Sequence, residues 1–201
     1  MVELLARNQN RAKAAPILGV LASAALLARF GLADPLFWGL VNIPLYLFHQ
    51  TEEHLWPGGF KDYINRNVNK DEAGAETLTD RKVFWINILL VWLAFAIFGA
   101  LAFVNVGFGL VIIIFSIVNC LSHIVEGLKS RRWNPGLVMA SLQFLVSIYA
   151  AWFLTTHGLE NPLIWWPGAL VFSAIVHILL FRIVMTSATK VPAPSPVPGS
   201  G

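Results

Sequence analysis

Charge and cysteine are scarce in this chain. Only 12% of its 201 residues are Asp, Glu, Lys or Arg, about half of what a soluble domain carries, which argues against a water-soluble globule. Its single cysteine, Cys120, excludes an intramolecular disulfide framework and any Cys-pair metal motif. No glycine-rich phosphate loop and no serine-nucleophile elbow is present, so neither chemistry has a carrier here. No cleavable signal peptide is recognisable, because Met1 to Ala15 is polar and leads into one apolar run after another. The net charge of +3 and the pI near 9.2 come from basic residues scattered between apolar runs. Membrane topology explains that scatter, and no nucleic-acid partner is expected.

In place of charge the chain has 57% hydrophobic residues, 8 Trp and 14 Phe, with a mean hydropathy of +0.67. This composition implies an all-α, polytopic transmembrane helical bundle in contact with the lipid bilayer, most naturally a multi-pass protein of the cell (inner) membrane. About six spans are readable: residues 16–30, 34–56, 83–104, 108–128, 137–156 and 163–185. The first is short against the roughly 20 residues a span needs, and the N-terminal arm could extend it. Asp34-Pro35 and Asn161-Pro162 each read as an N-cap followed by a proline in the first turn. Pro44 is expected to kink the second span. The polar stretch 57–82 reads as a loop with a short interfacial helix near residues 60–67. Residues 1–185 form one transmembrane domain on this reading, and the Pro- and Ser-rich residues 186–201 form a disordered tail. Six spans return both termini to one side. With that side cytoplasmic, every one of the 14 Lys and Arg except Arg29 falls inside, a strong positive-inside pattern.

Against this background His49-Gln50-Thr51-Glu52-Glu53-His54 stands out, at the end of the second span. Ionisable groups at membrane depth cost roughly 2.5–3.5 kcal/mol each at a helix centre, so a cluster of them calls for partners. Helical spacing supplies candidates. Asn42, Tyr46, His49 and Glu53 share a face of one helix. Ser116, Asn119, His123 and Glu126 share a face of another, Ser173 and His177 of a third, and Gln143 and Ser147 of a fourth. At about 1.5 Å per residue, His49, His123 and His177 reach similar depths near the cytoplasmic ends of their helices.

Three imidazoles and three carboxylates make a plausible donor set for a divalent transition metal, zinc or iron (manganese also fits), with room for two ions. The candidate ligands are His49, Glu52, Glu53, His123, Glu126 and His177. Glu52 or Glu53 is left over as a catalytic base, with Tyr46, Asn119 and Gln143 orienting the ligands. His54 is expected at the water interface.

At these residues the chain resembles the HXXEE-domain family of integral membrane proteins. The name-giving motif is His49-Gln50-Thr51-Glu52-Glu53, and a looser Asn-x-x-x-His motif is matched by Asn119 and His123. The family's Tyr-x-Pro-Gly is matched as Trp133-Asn134-Pro135-Gly136, with Trp in place of Tyr. The resemblance covers roughly residues 40 to 140. It implies fold and location, and it brings no established activity. From the residues, the first expectation is a membrane-embedded, metal-dependent enzyme acting on a lipid-like or small apolar substrate, as a hydrolase with zinc or as a di-iron oxidoreductase. A proton- or ion-coupled transporter using the same His and Glu residues is the alternative, and a non-catalytic scaffold the third reading.

Overall fold

Helices begin where the sequence offers an oxygen to the first free N–H groups. The Asp34 carboxylate accepts from the Leu36 amide at 2.8 Å, with Pro35 in the first turn. The Thr79 hydroxyl accepts from the Lys82 amide at 3.3 Å. Asn161 departs from this pattern: Pro162 opens its helix as expected, but the Asn161 side chain makes no capping bond.

A computed structural model describes residues 2–186 of the chain, which are helical with no strand among them. The sequence-expected tail beyond residue 186 lies outside the described residues. In order the helices are α1 (Val2–Arg7), α2 (Asn10–Arg29), α3 (Pro35–Leu40), α4 (Asn42–His54) and α5 (Phe60–Tyr63), the last continued by a π-helical turn, Ile64–Val68. Next come α6 (Asp80–Trp85), a π-helical stretch (Ile86–Trp92) and α7 (Leu93–Ala102), which run on as one rod. They are followed by α8 (Gly107–Ser130), α9 (Leu137–His157) and α10 (Pro162–Met185). Five helices are long and apolar enough to cross a membrane: Asn10–Arg29, Asp80–Ala102, Gly107–Ser130, Leu137–His157 and Pro162–Met185.

The second of the expected spans is divided rather than kinked. It forms α3 and α4, with the break at Val41, one turn before Pro44. The reason is local. Pro44 has no N–H for the Leu40 carbonyl, and its ring crowds that carbonyl. The next bond, from the Leu45 amide to the Val41 carbonyl, is stretched to 3.5 Å. At the break sits Asn42, fully buried. Its Oδ1 accepts from Gln143 Nε2 at 3.1 Å and from the Ser147 hydroxyl at 2.8 Å. Gln143 therefore supports the broken helix and does not orient the histidines.

Helix α8 is the centre of the bundle and packs on α3, α4, α7, α9 and α10. Its crossing with α3 is a backbone contact: a Cβ on Gly109 would come within 2.6 Å of the Gly39 Cα, the close approach that small residues permit between membrane helices. Large apolar side chains such as Leu27, Leu145, Ile164 and Ile178 point outward and are exposed, as a lipid-facing surface requires.

One end of the bundle gathers the polar chemistry. There Arg11 meets Gln50, Gln9 meets Asp80, Asn69 meets the Val184 carbonyl, and Lys82 meets the Thr186 carbonyl. The first and last described residues thus share that end. The loop between α4 and α6 folds over it. The Asn65 side chain pairs with both backbone groups of Leu78, at 3.0 and 2.7 Å, and Leu78 is fully buried beside Val83, Ile86 and Val184.

Candidate metal centre

Residues four apart on a helix lie one above the other, so α4 stacks His49 and Glu53. His49 Nε2 lies 3.4 Å from Glu53 Oε1. From α8, His123 brings its own Nε2 to 3.1 Å from the same oxygen. All three side chains are buried, and one ligand atom from each lies within 4.8 Å of the others.

The hydrogen bonds around this trio decide where its protons sit. Asn134 Nδ2 donates to the His123 carbonyl at 2.9 Å, so the amide must turn its Oδ1 toward His123 Nδ1, 3.1 Å away. An amide oxygen only accepts, and Nδ1 therefore carries the proton. In neutral His123 this leaves Nε2 as a lone pair facing a carboxylate oxygen. Neither nitrogen of His49 has a hydrogen-bond partner among the described residues. With both rings neutral and His49 protonated on Nδ1, two imidazole nitrogens and one carboxylate oxygen converge with no donor between them, and one cation would satisfy all three at once. Ligands at zinc–nitrogen and zinc–oxygen distances in a tetrahedron stand about 3.3 Å apart, close to the two separations from Glu53 Oε1 to the histidine nitrogens.

The other oxygen of Glu53 is held from behind. Gln50 Nε2 donates to Glu53 Oε2 at 2.6 Å and to the Tyr46 hydroxyl at 3.1 Å. The Gln50 amide cannot flip, because its Oε1 accepts from Arg11 Nη1 at 2.8 Å and an arginine offers only donors. Arg11 is itself buried, 6% exposed, on α2. Tyr46 donates onward to Asn87 Oδ1 at 3.3 Å. His54 Nε2 lies 3.5 Å from Glu53 Oε2, and its side chain is only 3% exposed, so His54 belongs to the buried site and not to the water interface.

The turn between α8 and α9 completes the enclosure. Gly136 has a φ of +95°, and a Cβ there would meet Glu53 Cγ at 2.8 Å, His123 Cε1 at 3.1 Å and His49 Nε2 at 3.1 Å. Only glycine fits both the backbone angle and the space. In Trp133-Asn134-Pro135-Gly136 the asparagine orients His123, and the glycine makes room for all three side chains.

A cavity of about 320 Å³ adjoins the cluster, with Glu53, His54, His123 and Asn134 in its wall. Most of the remaining lining is apolar, including Ile64, Leu78, Ile86, Val91, Leu180 and Phe181.

Of the six ligands expected from sequence, three come together: His49, Glu53 and His123. Glu52 faces away. Its carboxylate accepts from the backbone amides of Val138 at 3.1 Å and Met139 at 2.6 Å, capping the positive end of α9. Glu126 accepts from the Tyr63 hydroxyl at 3.0 Å and lines the cavity outside the trio. His177 and Asn119 line the same cavity. Tyr46 acts on Glu53 through Gln50. Four contributors escaped the sequence reading. Gln50 and Asn134 occupy variable positions of their motifs, Gly136 reads as an ordinary turn, and Arg11 reads as one basic residue of a basic arm. The Arg11 charge, set just before an apolar run, was the one available signal.

The placement of Glu52 carries a prediction. Glu52→Gln keeps one amide acceptor but loses the charge at the α9 N-terminus, which is expected to cost about 1–2 kcal/mol and to lower the melting temperature by about 2–8 °C. Metal content should be unchanged. Thermal melts paired with elemental analysis check both halves.

A family described as "Protein of unknown function with HXXEE motif" matches residues 40–153. That span runs from the end of α3 to the last turns of α9 and contains Glu53 with both histidines of the trio, along with Gln50, Asn134 and Gly136. No curated protein and no solved structure matches the chain.

Proposed function

We propose that this chain, which belongs to the HXXEE family and takes no assigned activity from it, is an integral membrane hydrolase that uses one zinc ion held by His49, Glu53 and His123. The donor set carries the reading. Two imidazoles and one carboxylate are a donor set of catalytic rather than structural zinc, and His123 and Glu53 border an apolar cavity from which a fourth ligand would come. A zinc ion bound there supplies Lewis acidity and lowers the pKa of water.

The protein's own residues have distinct tasks. Asn134 fixes the His123 tautomer so that Nε2 is the coordinating atom. Gln50 and Arg11 hold Glu53 Oε2, leaving Oε1 for the cation. The apolar wall excludes water and accepts the hydrocarbon part of a lipid-like or small apolar substrate. Basic residues at this end of the bundle, among them Lys61, Lys82, Lys129 and Arg132, support a cytoplasmic orientation for the site.

Elemental analysis of the protein purified in nanodiscs tests the proposal. About one zinc per chain is expected, removable by a strong chelator and restored by added zinc. Iron in its place would move the reaction from hydrolysis to oxidation of an apolar chain, since the same three donors suit a non-haem iron. Protein that carries no transition metal and takes none up at micromolar concentration would refute the metal reading altogether.

A further inference from the structure

The cavity wall carries several polar groups that the trio does not use, among them Asn119, Ser122 and Glu126, and His177 differs from these in presenting a buried ring nitrogen with no partner among the described residues. His177, on α10, is 4% exposed and lines the cavity. Its Nδ1 lies 2.8 Å from the Ser173 carbonyl of its own helix. A carbonyl only accepts, so Nδ1 carries the proton, and the Ser173 hydroxyl at 3.4 Å is the weaker neighbour. Neutral His177 therefore presents Nε2 as a lone pair. The ring's back edge is tied to the α10 backbone, so Nε2 points away from that helix. Among the described residues it has no hydrogen-bond partner. Its surroundings are apolar: the Phe115 ring centroid is 4.7 Å away and that of Phe181 is 6.5 Å away. His177 also stands outside the group that converges on Glu53.

A buried acceptor left unsatisfied costs free energy, and one set in an apolar wall discriminates between ligands that can and cannot donate to it. We infer that His177 Nε2 is the polar-group receptor of the cavity, accepting a hydrogen bond from the hydroxyl or N–H of an amphiphile whose hydrocarbon part lies against Leu180, Phe181 and Val184. The substrate class of the site is then a chain-bearing amide, or an ester that also carries a free hydroxyl, and a molecule without an O–H or N–H donor is disfavoured. The inference rests on the reading of the cavity as the substrate site but not on the presence of zinc.

Decanol and decyl methyl ether make a matched pair of probes, since they share a chain and differ in the O–H donor. Binding to the full chain in nanodiscs is measured by calorimetry, with empty nanodiscs as the partition control. The wild-type protein is expected to bind the alcohol about tenfold more tightly than the ether. His177→Phe is expected to bring that ratio to about one by weakening the alcohol alone, and His177→Gln, which keeps an acceptor, to restore part of it. Zinc content should be equal in all three proteins. A wild-type ratio near one, or a ratio that survives His177→Phe, overturns the inference. So does loss of zinc in His177→Phe, which would make His177 a ligand. An alcohol preference in wild-type protein that binds no metal, abolished in His177→Phe, would sustain the inference while removing the zinc reading.

Discussion

Replacing His123 with alanine is expected to weaken zinc binding by more than about a hundredfold, since residues that merely orient a ligand are already worth about 10–100-fold. His123 supplies one of three converging atoms, from a different helix than the other two, and its Nε2 is 3.1 Å from Glu53 Oε1. Without it, His49 and Glu53 remain as a pair on one helix, too few donors for a stable four-coordinate ion. Zinc titration against a competing chelator reads the loss. Asn134→Ala makes a graded companion. It removes the acceptor that keeps the proton on Nδ1 and frees the imidazole to turn, so a decrease of about 10–100-fold is expected with all three ligands intact. Equal zinc affinity in wild type and His123→Ala, with both proteins folded by thermal melt, would mean that the trio is a packing contact. Interhelical polar contacts of that kind do occur in membrane bundles.

The second large effect is expected at Gly136. A side chain at a φ of +95° is strained by about 1–3 kcal/mol. The added Cβ would also sit 2.8 Å from Glu53 Cγ and 3.1 Å from both histidine rings. Those atoms cannot yield without moving the three donor atoms apart, so on the proposed zinc reading Gly136→Ala should lose both stability and about tenfold or more in zinc affinity. Gly59 separates strain from crowding. Its φ is +91°, but a Cβ there meets nothing within 4 Å, so Gly59→Ala should be destabilised to a similar degree by strain while keeping wild-type zinc affinity. Were Gly136→Ala to melt lower yet bind zinc normally, the turn would be a structural device and not part of the site.

Much of the fold is legible from hydropathy because a membrane-spanning helix must be continuously apolar over a fixed length, and five helices are long and apolar enough to meet that requirement. The broken one is less legible. Pro44 announces a disturbance, but Asn42 could not be assigned to it without knowing that Gln143 and Ser147 of α9 lie opposite. Periodicity grouped Gln143 with Ser147 correctly, yet it says nothing about which neighbour that face meets. The same limit misassigned Glu52. It is adjacent to Glu53, and one step along a helix turns a side chain by about 100°. Of two neighbouring carboxylates, one therefore faces the histidines while the other reaches the N-terminus of α9.

The sequence by itself determined the long apolar helices and the pairing of His49 with Glu53, since both follow from hydropathy and the helical repeat. Which histidine completes the set was decided by the tertiary structure alone. His123 and His177 lie at similar depths near helix ends, and both border one cavity. The turn after α8 ties His123 to Asn134 and aims it at Glu53, whereas His177 is tied to its own helix at Ser173. Such distinctions live in contacts between residues far apart in the chain, which no local pattern encodes.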